Sequence, residues 1–183
     1  KYSARRFWRQ VQHYRATVIQ CVAMMLRTLM LQPISDNEKK HHVREVLYFI
    51  SVTKAEKEAF EERFNVKLMN TYGSTESIGW ALTDPPVGQR KWPSVGRAGL
   101  GYEVRIADDN DCEVPFGDIG EIQIKGVRGR SVMLEYFNNP SATLSTFTCD
   151  GWLKTGDQGY QDESGWFYFI DRKRNMIKRA GEN

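Results

Sequence analysis

Cysteine and histidine are scarce in this sequence, with three of each among 183 residues. The cysteines, Cys21, Cys112 and Cys149, lie far apart and form no Cys-x-x-Cys pair. A structural zinc site uses closely spaced cysteines and histidines, and a disulfide framework uses an even set of cysteines. The sequence therefore predicts neither kind of site, and a reducing compartment, the cytoplasm, fits it best.

The chain also lacks a long apolar run and a strong excess of one charge. Its most apolar stretch, residues 17–31, contains Gln20 and Arg27 and is too short to cross a hydrocarbon layer of about 30 Å as a helix. Basic residues number 26 and acidic residues 23, giving a net charge of +3. We therefore expect a globular chain with no membrane span and no nucleic-acid partner.

An initiator methionine and a signal-peptide pattern are absent as well. Lys1 opens directly into sequence that is typical of the middle of a domain. We expect the sequence to be a piece of a longer protein. Its oligomeric state is not indicated.

The first 94 residues have the periodicities of an α/β fold. Apolar residues recur at helical steps from Phe7 to Leu29, which predicts one amphipathic helix beginning after Ser3, continuous or broken. Residues 43–52 and 66–72 are rich in strand-forming side chains, and a charged helix over 53–64 separates them. Ser74 and Thr75 are suitable for starting a further helix. This α-β-α-β order favours parallel strands.

From residue 95 onward the pattern changes to short strands separated by turns. Residues 103–107 and 121–125 are strand-like, residues 132–136 and 141–146 are predicted to be helical, and residues 162–165 predict a hairpin turn. The fold class is therefore α/β, with a parallel portion (1–94), an antiparallel portion resembling a distorted β-barrel (95–170) and a final segment (171–183).

The most informative motif is Tyr72-Gly73-Ser74-Thr75-Glu76, which directly follows a predicted strand. Ligands of open α/β sheets bind beyond the carboxyl ends of strands, so these side chains are expected at a cleft. An aromatic ring can stack on a base, a hydroxyl can donate to phosphate, and a carboxylate can bind Mg²⁺. Taken alone, the motif is equally consistent with a structural turn into a helix.

Two further clusters are weaker by themselves. In Lys154-Thr155-Gly156-Asp157, the carboxylate could accept hydrogen bonds from a ribose diol, although such turns also occur for backbone reasons alone. Near the end, Arg172 could donate to sugar or phosphate, and Lys178 offers a mobile charge. Without the other clusters, this basic run is better explained as a solvated surface strand.

Taken together and in this order, the three clusters resemble the motifs of the adenylate-forming enzymes, which comprise acyl-CoA synthetases, peptide-synthetase adenylation domains and luciferases. The resemblance covers nearly the whole chain. Residues 2–8, 14–18, 90–99 and 175–183 look most like the ligases that act on crotonobetaine and carnitine. The resemblance implies an enzyme that uses ATP and Mg²⁺ to activate a small carboxylate as acyl-AMP and then passes the acyl group to CoA.

The resemblance also implies roles for individual residues. ATP or AMP would be bound by Tyr72, Gly73, Ser74, Thr75, Asp157 and Arg172. Thr75 and Glu76 would be catalytic, with Glu76 holding Mg²⁺, and Ser74 would also line the acyl pocket. Arg174 would be the hinge of a further C-terminal domain, and Lys178 and Gly181 would lie near CoA.

The sequence departs from the family pattern in one respect that bears on activity. It contains no Ser/Thr/Gly-rich phosphate loop ending in Pro-Lys, and it carries no C-terminal lysine domain. The transition-state charge on the phosphates would therefore lack cationic partners, and we expect little or no ligase activity from this chain alone. The alternatives are a fatty-acyl or aryl-CoA ligase segment, or a non-catalytic nucleotide-binding module.

Overall fold

In a computed structural model, which describes residues 1–49 and 52–172, the chain divides into two compact units. The first is Lys1–Asn70 and the second begins at Thr71. The elements in chain order are α1 (Ala4–His13), β1 (Val18–Val22), α2 (Ala23–Met30), β2 (Glu45–Phe49), α3 (Lys54–Phe64), β3 (Lys67–Tyr72), β4 (Leu82–Thr83), β5 (Arg97–Ala98), β6 (Glu103–Ala107), β7 (Gly120–Lys125), α4 (Pro140–Thr146), β8 (Leu153–Gln161) and β9 (Phe167–Arg172). The boundary between the two units, at residues 70 and 71, lies before residue 94, where the sequence analysis ends its parallel portion. The domain limits expected from the sequence stay a prediction.

The first unit contains parallel strands, as the α-β-α-β pattern predicts. Strand β1 pairs with β2 from Val18↔Glu45 to Val22↔Phe49, and β2 pairs with β3 from Glu45↔Lys67 to Tyr48↔Asn70. Strands and helices share one core, formed by the buried residues Val11, Cys21, Leu26, Leu29, Val43, Val46, Tyr48, Val52, Phe60, Phe64, Val66 and Leu68.

The N-terminal helix predicted from the periodicity, continuous or broken, is broken: strand β1 separates helix α1 from helix α2. Helix α1 ends at His13, and Arg15 then adopts a left-handed φ of 51°. The β-branched residues Val18 and Ile19 follow in β1, which pairs with β2. The helical spacing of apolar residues continues through β1 from α1 to α2. Pairing with β2 decides the conformation of the residues between the two helices.

Helix α3 begins and ends where the sequence predicts, for local reasons. Thr53 and Glu56 form a capping box: the Glu56 N–H donates to Thr53 Oγ1 at 3.2 Å, and the Thr53 N–H donates to Glu56 Oε2 at 2.9 Å. Asn65 ends the helix in a left-handed conformation, with φ 51°.

The second unit is antiparallel, as predicted for residues 95–170, but the antiparallel pairing begins earlier, between β3 and β4, within the portion expected to be parallel. The end of β3 pairs with β4, and β4 pairs with β5, through Thr71↔Thr83 and Leu82↔Ala98. Strands β6, β7, β8 and β9 form a four-stranded sheet in that order. The hairpin predicted at 162–165 joins β8 and β9. A second core contains Tyr72, Ala81, Leu82, Ile106, Ile122, Ile124, Val132, Leu153 and Phe167.

The helix predicted at 132–136 is wrong, whereas the one at 141–146 is confirmed as part of α4. Val132 makes a parallel bridge with Arg128, and the Met133 N–H donates to the Glu76 carbonyl at 2.7 Å. This local bridge and the long-range bond to Glu76 replace the bonds that a helix would make. None of the helices in the described ranges has the length and apolar character needed to cross a bilayer.

Candidate functional site

The motif that follows β3 forms a tight loop. A Cβ at Gly73 would lie 2.3 Å from the Gly79 carbonyl oxygen, so only glycine fits there. Ser77 closes the loop: its Oγ accepts the Ser74 N–H at 2.8 Å and lies 3.0 Å from the carbonyl oxygens of Ser74 and Gly79. The helix start predicted at Ser74 and Thr75 is therefore wrong, because side-chain bonds occupy the backbone groups that a helix would use.

The second motif is a bulge in strand β8. Lys154 pairs with Gln123 and Gln158 pairs with Glu121, so three residues, 155–157, stand opposite the single residue 122 of β7. The Asp157 N–H donates to Thr155 Oγ1 at 3.1 Å, which stabilises the bulge internally. Bulges redirect side chains and are common beside active sites.

Asp157 connects three sequence clusters that are distant along the chain. Its Oδ2 accepts a hydrogen bond from the Tyr72 hydroxyl at 2.8 Å, and its Oδ1 accepts one from Arg172 Nε at 2.8 Å. Asp157 is 7% exposed and Tyr72 9%. Burial, followed by the charge of Asp157, raises the pKa of Tyr72 well above its ordinary value. The hydrogen bond to Asp157 raises the pKa of Arg172.

Glu76 is half-buried and is held by a tyrosine from a distant segment. Its Oε1 accepts a hydrogen bond from the Tyr136 hydroxyl at 2.8 Å. Burial acts to raise the pKa of Glu76, but hydrogen bonds from Tyr136, its own backbone and Ser74, together with the charge of Arg172, lower it overall. Burial, and then the bond to Glu76, raises the pKa of Tyr136. The carboxylate form of Glu76 is therefore favoured.

Glu76 and Arg172 line one polar groove with a volume of about 320 Å³. The other lining residues are Ser74, Glu121, Tyr136, Ser145, Thr146, Lys154, Thr155 and Gly156. Both cations in this lining are paired, Arg172 with Asp157 at 2.8 Å and Lys154 with Asp111 at 2.7 Å. The groove thus offers hydroxyls, carboxylates and paired cations to a polar ligand.

The residues predicted from the sequence occupy different positions around this groove. Ser74 and Glu76 line it, whereas Tyr72 and Asp157 are buried. Thr75 is exposed, and its carbonyl accepts the Ile78 N–H at 3.2 Å. The predicted hinge residue Arg174 and the predicted CoA-proximal residues Lys178 and Gly181 lie outside the described residues.

The sequence analysis missed four groove residues: Glu121, Tyr136, Ser145 and Thr146. Tyr136 was placed in a predicted helix, and nothing in its neighbourhood links it to Glu76. Glu121, Gln123 and Lys125 alternate along β7 in the manner of a solvent-facing side, yet Glu121 is 9% exposed and Gln123 is fully buried. No local signal marks Glu121 as a groove residue, because its bond to the Gly156 N–H joins residues that are 35 positions apart.

Residues 1–137 match the family of AMP-binding enzymes. The chain belongs to this family. A crotonobetaine/carnitine–CoA ligase of Escherichia fergusonii is 56% identical over all 183 residues, which correspond to 35% of that relative. The chain thus spans about a third of the length of the curated relatives it matches.

Solved structures of a coenzyme A synthetase and of a CoA ligase have the same fold. An O-succinylbenzoate coenzyme A synthetase of Bacillus subtilis, in complex with ATP and magnesium ion, is 30% identical, with a TM-score of 0.81 over 100% of this chain and 37% of that one. A benzoate CoA ligase of Burkholderia xenovorans matches with a TM-score of 0.84 over 97% of this chain and 35% of that one. At 24% identity, this second likeness shows the fold alone.

Two carboxylates that could bind a cation, Glu76 and Glu121, line the groove. Within the described ranges, no group of three or more His, Cys, Asp or Glu side chains could hold a metal. Glu76 offers a single carboxylate at the groove wall. Mg²⁺ is often bound in this way, through one or two carboxylates plus phosphate oxygens and water.

Proposed function

We propose that this segment forms the nucleotide-binding part of an acid–thiol ligase that activates a carboxylate as acyl-AMP and transfers the acyl group to CoA. The observation that carries the proposal is Asp157, which joins Tyr72, the last residue of β3, to Arg172 beside the groove. ATP and CoA are then substrates, and Mg²⁺ accompanies the phosphates and neutralises their charge. A cytoplasmic location agrees with the free thiols of the three cysteines.

In this proposal each side chain has a defined task. Asp157 accepts hydrogen bonds from the ribose hydroxyls through its remaining lone pairs, and Arg172 assists there. Glu76 contributes one Mg²⁺ ligand, and the exposed Thr75 hydroxyl donates to phosphate. Tyr72 forms the wall on which adenine packs, although its ring is mostly covered.

The acid that fits the proposal best is a small trimethylammonium carboxylate such as crotonobetaine or carnitine. Its support is the 56% identity to a ligase of that name across all 183 residues. The alternatives, a fatty-acyl or aryl-CoA ligase, are separated by assaying a full-length protein that carries this segment. Pyrophosphate release with crotonobetaine or carnitine, but not with benzoate or a fatty acid, supports the proposal. If none of these acids supports pyrophosphate release, a non-catalytic module is favoured.

Calorimetry with AMP tests nucleotide binding by the chain itself. We expect the parent to bind AMP, and Asp157→Ala to weaken binding by about 1.5–3 kcal/mol, the range for a hydrogen bond to a charged group. Asp157→Asn keeps the side-chain shape and controls for folding, and Asp118→Ala removes an exposed carboxylate elsewhere in the second unit. Equal AMP affinity in the parent and Asp157→Ala contradicts the assignment of Asp157.

Turnover by the chain alone is expected to be very low. Among the residues that the structure describes, the lysine and the arginine that line the groove, Lys154 and Arg172, already neutralise carboxylates, so these two side chains offer little positive charge to the phosphates. The measurement is pyrophosphate release from ATP with crotonobetaine or carnitine. Rapid multiple turnover would refute this expectation while leaving the nucleotide site intact.

A further inference from the structure

Glu76 is held by the segment that precedes α4, through both its backbone and its side chain. The Met133 N–H donates to the Glu76 carbonyl at 2.7 Å, and the Tyr136 hydroxyl donates to Glu76 Oε1 at 2.8 Å. The Tyr136 bond joins residues that are 60 positions apart. These two bonds from one short segment hold the backbone carbonyl and the side-chain carboxylate of Glu76.

Tyr136 is itself fixed by the start of α4. Its N–H donates to Thr143 Oγ1 at 2.9 Å, and that hydroxyl donates to the Asn139 carbonyl at 2.9 Å. The Asn139 side chain in turn accepts the Ala142 N–H at 3.1 Å as the N-cap of α4. Thr143 is buried. The tyrosine hydroxyl is therefore presented from an ordered helix start.

We propose that Tyr136 is a positioning residue that orients the Glu76 carboxylate for the Mg²⁺ of a bound magnesium nucleotide. The inference rests on the proposed function of the groove, which both side chains line. The Tyr136 bond to Oε1, together with the bonds from Ser74 and the Glu76 backbone, fixes the direction of the carboxylate, and the lone pairs that remain are available to the cation. Carboxylates that bind metals are commonly oriented by such a second hydrogen bond, and loss of the outer partner weakens metal binding by about 10–100-fold.

The test compares ATP affinity with excess Mg²⁺ and with EDTA, by calorimetry, in the full 183-residue chain. The ratio of the two affinities is the gain due to Mg²⁺. We expect Tyr136→Phe to reduce this gain by about 10-fold, the lower end of the effect of an outer-shell partner. Glu76→Gln should abolish the gain, and Tyr136→Phe added to Glu76→Gln should have no further effect.

Tyr168→Phe is the matched control. It also removes a tyrosine hydroxyl that donates to a carboxylate, Asp162 Oδ2 at 3.1 Å, in the same unit. We expect an unchanged Mg²⁺ gain in this variant. Two results overturn the proposal: an unchanged gain in Tyr136→Phe, or an equal loss of ATP affinity with and without Mg²⁺, which would make Tyr136 a direct nucleotide contact.

A second readout separates this proposal from the proposed function. If the parent binds no ATP, the function fails, and the side-chain contact is tested alone by NMR of the Glu76 carboxyl carbon at neutral pH. A chemical-shift change in Tyr136→Phe that is absent in Tyr168→Phe supports the positioning contact. An unchanged shift overturns it.

Discussion

Gly156 adopts a φ of 71° within strand β8, and this single conformation determines where the next side chain points. L-residues rarely adopt this region, because the Cβ approaches the carbonyl oxygen. The Gly156 N–H leaves the strand ladder and donates to Glu121 Oε1 at 2.7 Å. Glu121 thus fixes the bulge from the neighbouring strand and holds Asp157 at the position where Tyr72 and Arg172 reach it.

Replacement of Glu121 tests this role at the residue scale. Glu121→Ala leaves the Gly156 N–H without its acceptor, and we expect a loss of about 1–3 kcal/mol in the free energy of unfolding. Glu121→Gln keeps a carbonyl acceptor at the same place and should lose clearly less. Denaturant unfolding measures both, and faster amide exchange at Gly156 in the alanine variant identifies the cause. Equal losses in the two variants would show that the bond is unimportant.

At the scale of elements, the end of α2 is stabilised by a side chain from α3. Arg63 donates to the Met30 and Gln32 carbonyl oxygens at 2.6 and 2.8 Å, and it pairs with Glu38 at 3.0 Å. The last carbonyls of a helix have no partner within it, and a cation is favourable there. This arginine therefore ties α2, α3 and the segment between α2 and β2 together.

Two arginine–carboxylate pairs of the first unit provide a matched comparison. The side chains of Arg63 and Glu38 are 13% and 9% exposed, whereas those of Arg27 and Glu56 are 54% and 34% exposed. We expect Arg63→Met to cost about 3–5 kcal/mol of unfolding free energy, because Glu38 is left as a buried, unpaired charge. Arg27→Met should cost less than about 1 kcal/mol. Denaturant titration measures the loss of unfolding free energy in each variant, and hydrogen-exchange mass spectrometry assigns that loss to the first unit. Similar losses in Arg63→Met and Arg27→Met would contradict the prediction.

At the scale of the whole molecule, each compact unit has its own apolar core. Cys21 belongs to the core of the first unit and is fully buried, while Cys112 and Cys149 are exposed in the second. Burial raises the pKa of Cys21 to about 12, so its thiol is both inaccessible and protonated at neutral pH. The rate at which the Cys21 thiol reacts therefore reports on the folding of the first unit.

A thiol reagent near pH 8 should modify Cys112 and Cys149 rapidly in the folded chain. Modification of Cys21 should follow the unfolding of the first unit, because only the thiolate reacts and only the unfolded state exposes it. A Cys112→Ser/Cys149→Ser variant, with Cys21 as the single thiol, isolates the slow phase. The prediction fails if this variant reacts at the same rate in native buffer and in denaturant.

The sequence by itself determined the local features and the order of the motifs. The charged helix after Thr53, the strands at 67–72 and 103–107 and the turn at 162–165 follow from periodicity, capping and turn chemistry, which act over a few residues. The order of the three motifs indicated the family. The helix start at Ser74 was wrong because a side-chain bond from Ser77 competes with the backbone.

Only the tertiary structure decided which groups meet at the groove. The bond between Tyr72 and Asp157 joins residues that are 85 positions apart, and the bulge that directs Asp157 exists only where β8 pairs with β7. The strand β1, the burial of Glu121 and the contact of Tyr136 with Glu76 likewise depend on partners far away in the chain. The spacing of residues within a segment does not indicate such partners. A hydrogen bond between distant segments forms only when the fold brings its donor and acceptor to within about 3 Å of each other.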